Sequence, residues 1–335
     1  MSNPNLIVIR SFADYVSAVS KINATENDSA WFRGQSSANH RLVPSALRNL
    51  VPLTSAYGRP LRGNEILTAN GYTQTGVSPE RMLDDFKRRA LPFLDYSPKN
   101  DFEWLFLMQH HGVPTRLLDW TTNALVALYF AVSSLRADVV TSNQENLYND
   151  ADEELQEFDS NSAAVYAMNP NKVNRALHGE IWEVVDIAHD FETWKPYSRP
   201  TQLDSDGLDT YPPLCITTPQ FSPRIRAQSG LFSIHGTNTE PLDIYNDVRP
   251  LLTKILIPFE NAIAIQKELR QFGISESFIY PGLDGVAKDV KADEERRHEW
   301  ARKDYLTKLE SKSAKIAGLG FKKKQPKISK DRKPK

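Results

Sequence analysis

Apolar and polar positions are interleaved most densely at residues 108–132, MQHHGVPTRLLDWTTNALVALYFAV. A helix is expected to end at His111, because Gly112 supplies a stop and Pro114 cannot continue the turn. An extended piece follows over residues 115–120. Thr121, Thr122 or Asn123 then caps a second helix, from Ala124 to about Leu135. That helix is apolar all round from Ala124 to Val132, so it must be buried on most sides. Gln109, His110, Arg116, Asp119 and Thr121 therefore stand at the mouth of a core. Buried polar groups need partners; these five either satisfy one another or hold a ligand.

The pattern elsewhere predicts strands and helices intermixed, an α+β chain. Residues 6–10 read as a short strand. Ser11 and Asp14 form a capping box for a helix that presents Phe12, Tyr15, Val16, Val19 and Ile22 on one face. Residues 30–34 read as a strand running into a turn, where Gly34 lets the backbone approach something closely. Residues 44–50 suggest one or two helical turns. Ser78-Pro79-Glu80 starts a helix with Leu83, Phe86, Ala90 and Phe93 on one side, and Asp101 starts the helix that ends at His111. Further strands are expected at 163–168, 214–217, 231–235, 254–257 and 278–280. Helical turns are expected at 171–178 and 181–188. Residues 193–211 read as loop, 261–272 as an amphipathic helix closed by Gly273, 281–285 as a turn, and 291–309 as a charged helix.

Three segments stand apart. Residues 51–78 are rich in Gly, Pro, Thr and Asn and predict a long surface excursion. Residues 143–162 carry seven acids and no Lys or Arg, which predicts a solvated insertion. From 321 to 335 the chain holds eight basic residues and one acid, a pattern expected of a disordered interaction arm. The expected organisation is one domain over 1–290 and a charged helix with a basic tail over 291–335.

Composition narrows the function classes. A net charge of −1 excludes a polycation whose whole surface binds nucleic acid, leaving the tail as the one candidate for such contact. The single cysteine, Cys215, excludes an intramolecular disulfide and a thiolate zinc cluster. The longest apolar run, Ala124 to Val132, is too short to cross a bilayer, and the first ten residues lack signal-peptide character. A cytoplasmic protein without membrane contact is the expectation. There is no internal repeat, no GxGxxG, no P-loop and no GxSxG. His110 and His111 point about 100° apart on a helix, so no metal is expected.

Arg33 sits at a strand end before a glycine. Its planar fork suits a diphosphate or carboxylate gripped bidentately. It also suits a buried pair with an acid such as Asp119, and both can hold. Arg116 and Asp119, three apart, can pair locally. Trp120 reads as core or as a ring that stacks on a base. Thr121 reads as a helix cap or a site residue. Gln228 and Arg224 either line a site or fasten a turn to the sheet.

Four stretches, WFRGQ (31–35), QHHGVPTRLLDWTTN (109–123), PRIRAQSGLFSIH (223–235) and GISESFIYPGLDG (273–285), together resemble the FRG domain family, over roughly residues 20–290. FRG proteins are associated with bacterial defence and toxin-like settings, so that setting is what the resemblance implies. A deeper similarity runs to ADP-ribosyltransferases. Phe32-Arg33-Gly34 is similar to their aromatic-Arg-Gly strand end. Leu118-Asp119-Trp120-Thr121, with Ala127 and Phe130 on the next helix, is similar to their Ser-Thr-Ser segment. Gln228-Ser229-Gly230-Leu231-Phe232 is similar to their third element, with Gln228 where the family places a catalytic Glu. This resemblance implies a split mixed sheet with flanking helices, and NAD as substrate. It implies catalytic roles for Arg33, Asp119, Thr121 and Gln228, and nucleotide binding by Arg33 and Gly34; Gln35, Gln109, His110, Arg116, Trp120 and Arg224, read from their side chains and positions, are the further candidates for nucleotide binding. It also implies a macromolecular target, protein or nucleic acid. A non-catalytic ligand sensor and a nucleic-acid-binding or -cleaving effector are the alternatives.

Overall fold

In this computed structural model the described residues are 5–26, 30–48, 77–94, 96–135, 162–187, 190–200, 211–217, 223–236 and 238–319. The expected excursion at 51–78 falls largely outside them, as do the acidic stretch and the basic tail. The chain is α+β, with eight strands: β1 (Asn5–Val8), β2 (Trp31–Gln35), β3 (Leu117–Thr121), β4 (Ala163–Met168), β5 (Val185–Asp186), β6 (Leu214–Thr217), β7 (Gly230–Ile234) and β8 (Leu252–Ile257). They form one mixed sheet in the order β1-β8-β4-β2-β3-β7-β6-β5. The outer pairs β1/β8 and β5/β6 are parallel and the rest antiparallel.

The register divides the sheet in two. On one side β2 pairs with β4 through five residues, from Trp31↔Met168 to Gln35↔Ala164. On the other side β3 pairs with β7 through five, from Leu117↔Ile234 to Thr121↔Gly230. Between the halves, β2 and β3 meet in the single pair Phe32↔Thr121. Beyond it the two strands splay.

The helices are α1 (Phe12–Thr25), α2 (Pro79–Ala90), α3 (Asp101–His110), α4 (Ala124–Val132), α5 (Pro170–His178), α6 (Phe191–Trp194), α7 (Pro223–Ala227), α8 (Phe259–Gln271), α9 (Glu276–Ile279) and α10 (Leu283–Leu319). Their starts follow from short polar side chains that accept otherwise unpaired first-turn amides. Ser11 and Asp14 close a reciprocal box on α1. Ser78, Asn100 and Asn169 cap α2, α3 and α5. Of the three candidates for α4 it is Asn123 that caps, accepting from Leu125 and Val126.

Helices α1, α4 and α8 cover the β1-β8-β4-β2 half with a core of Phe12, Tyr15, Phe32, Val126, Val132, Val165 and Ile265. Helices α2 and α3 cover the other half, where Phe106 stacks on Phe232 at 5.2 Å. A second core behind the sheet holds Trp31, Leu42, Trp120, Tyr166 and Leu256.

Some expectations change. Residues 276–279 form a helical turn rather than a strand, because Ser275 caps it and the Asp289 carboxylate on α10 accepts the Glu276 and Ser277 amides. The expected turn at 281–285 instead leads directly into α10. Residues 181–188 hold the two-residue β5 instead of helical turns, and α6 interrupts the loop expected from 193. Phe93 is 85% exposed, because α2 gives way to a 3₁₀ turn at Leu91 and the shared face is lost.

Candidate functional site

The splay between β2 and β3 opens a cavity of about 660 Å³ on the side covered by α3 and α4. Its walls come from β2, the segment after it to Arg48, the end of α3, β3, α4, α7 and β7. Of the eleven residues expected from sequence, ten line it: Arg33, Gly34, Gln35, Gln109, His110, Asp119, Trp120, Thr121, Arg224 and Gln228.

Arg33 reaches across the splay. Its Nη1 donates to the Asp119 carbonyl oxygen at 2.7 Å and lies 3.8 Å from Asp119 Oδ2. The paired reading of this arginine therefore holds: it is tied to Asp119, while it also lines the cavity. Its Nε is buried and makes no hydrogen bond. Burial pulls its pKa down to about 10, with Asp119 opposing and Arg48 adding to the fall, so it stays cationic at neutral pH.

The Asp119 carboxylate is half-exposed and oriented from behind. Gln109 Nε2 donates to Oδ2 at 2.8 Å, Thr115 Oγ1 donates to Gln109 Oε1 at 2.6 Å, and the Leu117 amide donates to Thr115 Oγ1 at 3.1 Å. Such a chain fixes the rotamer of Gln109 and, through it, the carboxylate.

Thr121 does more than cap. Its hydroxyl donates to the Gln228 carbonyl at 2.6 Å and accepts from the Asn123 amide at 2.9 Å. Gln228 uses its side-chain amide to fasten the turn, donating to the Ile279 carbonyl at 3.1 Å. Ser229, next to it, takes a left-handed backbone with φ of 46°. Arg224 Nη1 donates to the His110 carbonyl at 3.0 Å, and its guanidinium lies 4.7 Å from the Tyr280 ring centre. Burial, followed by His111 and Arg224, lowers the pKa of His110.

Gly34 is explained by packing. A methyl group there would sit 1.9 Å from the Ala127 carbonyl oxygen, so the close approach is to α4. Gln35 reaches back to the Arg41 carbonyl at 3.3 Å and holds the following segment.

One expectation is corrected and one pair of alternatives is decided. Arg116 lies outside the cavity and does not pair with Asp119. It is buried, donates to the Gly236 carbonyl at 2.8 Å and stands 3.5 Å from Glu80 Oε1; alternation along β3 separates it from Asp119. The Trp120 indole is buried, with Nε1 donating to Ser233 Oγ at 3.1 Å, so the ring belongs to the core behind the sheet rather than to a base-stacking surface.

Sequence reasoning missed His40, Arg41 and Arg48, which line the same cavity. The available signal was three cationic or titratable side chains within thirteen residues after the WFRGQ stretch. Among the described residues no group of three or more His, Cys, Asp and Glu could hold a metal ion, and no helix is long and apolar enough to cross a membrane.

A family model accounts for the first half of this constellation. Residues 28–139 match the FRG domain. The FRG match covers about a third of the chain and contains β2, β3 and α4, hence Arg33, Asp119 and Thr121. The α7 turn with Arg224 and Gln228, and the stretch 273–285, lie outside the FRG match, so part of the cavity wall is contributed from beyond it. No curated protein and no solved structure matches the chain.

Proposed function

We propose that the cavity binds NAD or a related nucleotide and that the chain is an ADP-ribosyltransferase-like effector of a bacterial defence or toxin type, acting on a macromolecular target. One observation carries the reading: three segments far apart in sequence, around Arg33, Asp119 and Gln228, line a single cleft whose charged side chains are four arginines and one aspartate. Arg33, Arg48 and Arg224 provide charge for phosphates. Val126, Ala127 and Phe130 provide an apolar wall for a ring. In this reading the bond between nicotinamide and ribose C1′ breaks, and nicotinamide leaves with the bonding pair. A nucleophile of the target then adds to C1′ and loses its proton. Asp119, the carboxylate that lines the cavity, stabilises the positive charge that builds at C1′. The test is release of nicotinamide from NAD by the full chain, compared with Asp119→Asn. Full activity in that variant removes Asp119 from the chemistry, and no binding of NAD by the parent chain removes the whole reading.

A second reading, a non-catalytic ligand sensor, is favoured by Gln228. The residue standing where transferases use Glu is an amide engaged with the Ile279 carbonyl, so it offers no second carboxylate. Binding of NAD with no nicotinamide release selects this reading. The third, nucleic-acid contact through residues 321–335, predicts that deleting them abolishes nucleic-acid retention.

A further inference from the structure

The charge around Asp119 does not balance. Arg33 takes this carboxylate at 3.8 Å and its carbonyl at 2.7 Å. Arg48 lines the same cavity, and among the described residues its one hydrogen bond is from Nε to the Val43 carbonyl at 3.3 Å. No carboxylate of the described residues lies within ion-pair distance of it. Among the described residues the opposite charge acting on Arg48 is again Asp119, while Arg33 and Arg48 repel each other. His40 lines the cavity with them: burial, then Arg48, then Arg33 hold its pKa low. Arg41, by contrast, is matched by Asp243 at 3.3 Å, which also accepts the Leu42 amide at 2.8 Å. This anchors the segment that carries His40 and Arg48.

One carboxylate thus serves two guanidiniums in a partly desolvated cleft. Unpaired guanidinium charge out of bulk water is unfavourable; with Arg224 also lining the cavity, three guanidiniums face one carboxylate, and a ligand carrying two negative charges removes the imbalance. The free donors match as well. Arg33 Nε is buried without a partner, and Ser36 lines the cavity beside it.

We propose that Arg48, with Arg33 and His40, forms a diphosphate subsite, so that the ligand of the cavity is a diphosphate-bearing molecule and Arg48 is its specificity-determining residue. The assignment rests on the nucleotide reading of the cavity but does not depend on any reaction occurring there. The same diphosphate chemistry can arrive free or carried by a nucleoside, and the apolar wall of Val126 and Phe130 favours the nucleoside.

The experiment is calorimetric titration of the full chain with inorganic pyrophosphate, ADP and adenosine. ADP is expected to bind at least tenfold more tightly than adenosine, and more tightly than pyrophosphate. Arg48→Ala is expected to weaken ADP at least tenfold, with adenosine unchanged within twofold. Arg48→Lys, which keeps the charge and loses the fork, is expected to fall between. Urea midpoints within about 0.3 M of the parent certify the fold of each variant, with m-values of the usual 1–3 kcal/mol/M. If Arg48→Ala misfolds, Arg48→Gln serves in its place. Equal binding of ADP and adenosine overturns the subsite, as does an Arg48 variant that binds ADP within twofold of the parent. Pyrophosphate binding as tightly as ADP keeps the subsite and removes the nucleoside. Arg48-dependent ADP binding without any NAD binding or turnover keeps the subsite and overturns the transferase reading instead.

Discussion

Replacing Gly34 by Ala probes the contact that holds α4 over the sheet. The added methyl lands 1.9 Å from the Ala127 carbonyl oxygen, 2.6 Å from the Ala131 nitrogen and 2.9 Å from the Ala127 carbonyl carbon. All three are backbone atoms, so no rotamer change relieves the clash. The helix must retreat by roughly 1.5 Å to restore ordinary carbon contacts of about 3.5 Å. Overpacking of this kind costs about 1–3 kcal/mol or more. The loss of unfolded-state freedom on Gly→Ala offsets about 0.4–1 kcal/mol of it. A net destabilisation of about 2 kcal/mol is expected, which moves the urea midpoint down by on the order of 1 M at a usual m-value. Equilibrium unfolding followed by circular dichroism measures it. Ala127→Gly in the same chain should not rescue stability, because it leaves the offending carbonyl in place. A midpoint equal to or above that of the parent, or full rescue by Ala127→Gly, refutes the close-approach explanation for this glycine.

Other outcomes follow from the geometry. Arg33→Ala should lower nucleotide affinity by about one to two decades, corresponding to roughly 1.5–3 kcal/mol for lost charged hydrogen bonds, with the circular dichroism spectrum retained; a chain that unfolds instead makes Arg33 chiefly a strut between the sheet halves. Arg116→Met leaves Glu80 buried without its guanidinium and should cost about 3–5 kcal/mol; unchanged thermal stability, or a nucleotide affinity altered more than twofold in the folded fraction, contradicts its placement outside the site. Stability should fall in acid. Burial, reinforced by Arg116, pushes His235 down to about 3, whereas the unfolded chain protonates near 6.5. Stability is full above pH 6.5, declines at about 1.4 kcal/mol per pH unit between roughly pH 6 and 4, and levels off below 3. His40, His110 and His178, all lowered chiefly by burial, add to the slope in the same direction. Urea midpoints of the parent and His235→Gln at several pH values check this, and equal slopes in the two chains count against it.

Much of the cavity was legible because its residues flank strong local signals. The uniformly apolar α4 demanded burial, and its N-terminal side had to bring Asp119 and Thr121 to the edge of a core. The Ser11–Asp14 box and the Ser78-Pro79 start are local chemistry and stand in the structure as expected. Other features depend on partners that sequence spacing does not reveal. Phe278-Ile279-Tyr280 is too short a run for periodicity to separate strand from helix, and its amides are capped by Asp289 from the following helix. Arg116 and Asp119 look like neighbours in sequence, but β3 is extended between them. Arg48 gave no signal by itself, since what singles it out is that no carboxylate of the described residues lies within ion-pair distance of it. Phe272 ends 63% exposed, stacked on Phe12 at 4.7 Å at the rim rather than inside.

The meeting of β2 and β3 in one residue pair has a mechanical consequence. Elsewhere in the sheet a ladder of amide–carbonyl bonds resists shear, but within the sheet plane a single rung and the Arg33 tether cross between two four-stranded slabs, which otherwise hold together through the core behind them and through α4. An occupant bridging both walls would act as a removable rivet, and by mass action it would raise the free energy needed to part the slabs. Amide protons of Arg33, Gly34, Asp119 and Trp120 should then exchange at rates that report occupancy, independently of any chemistry the occupant undergoes.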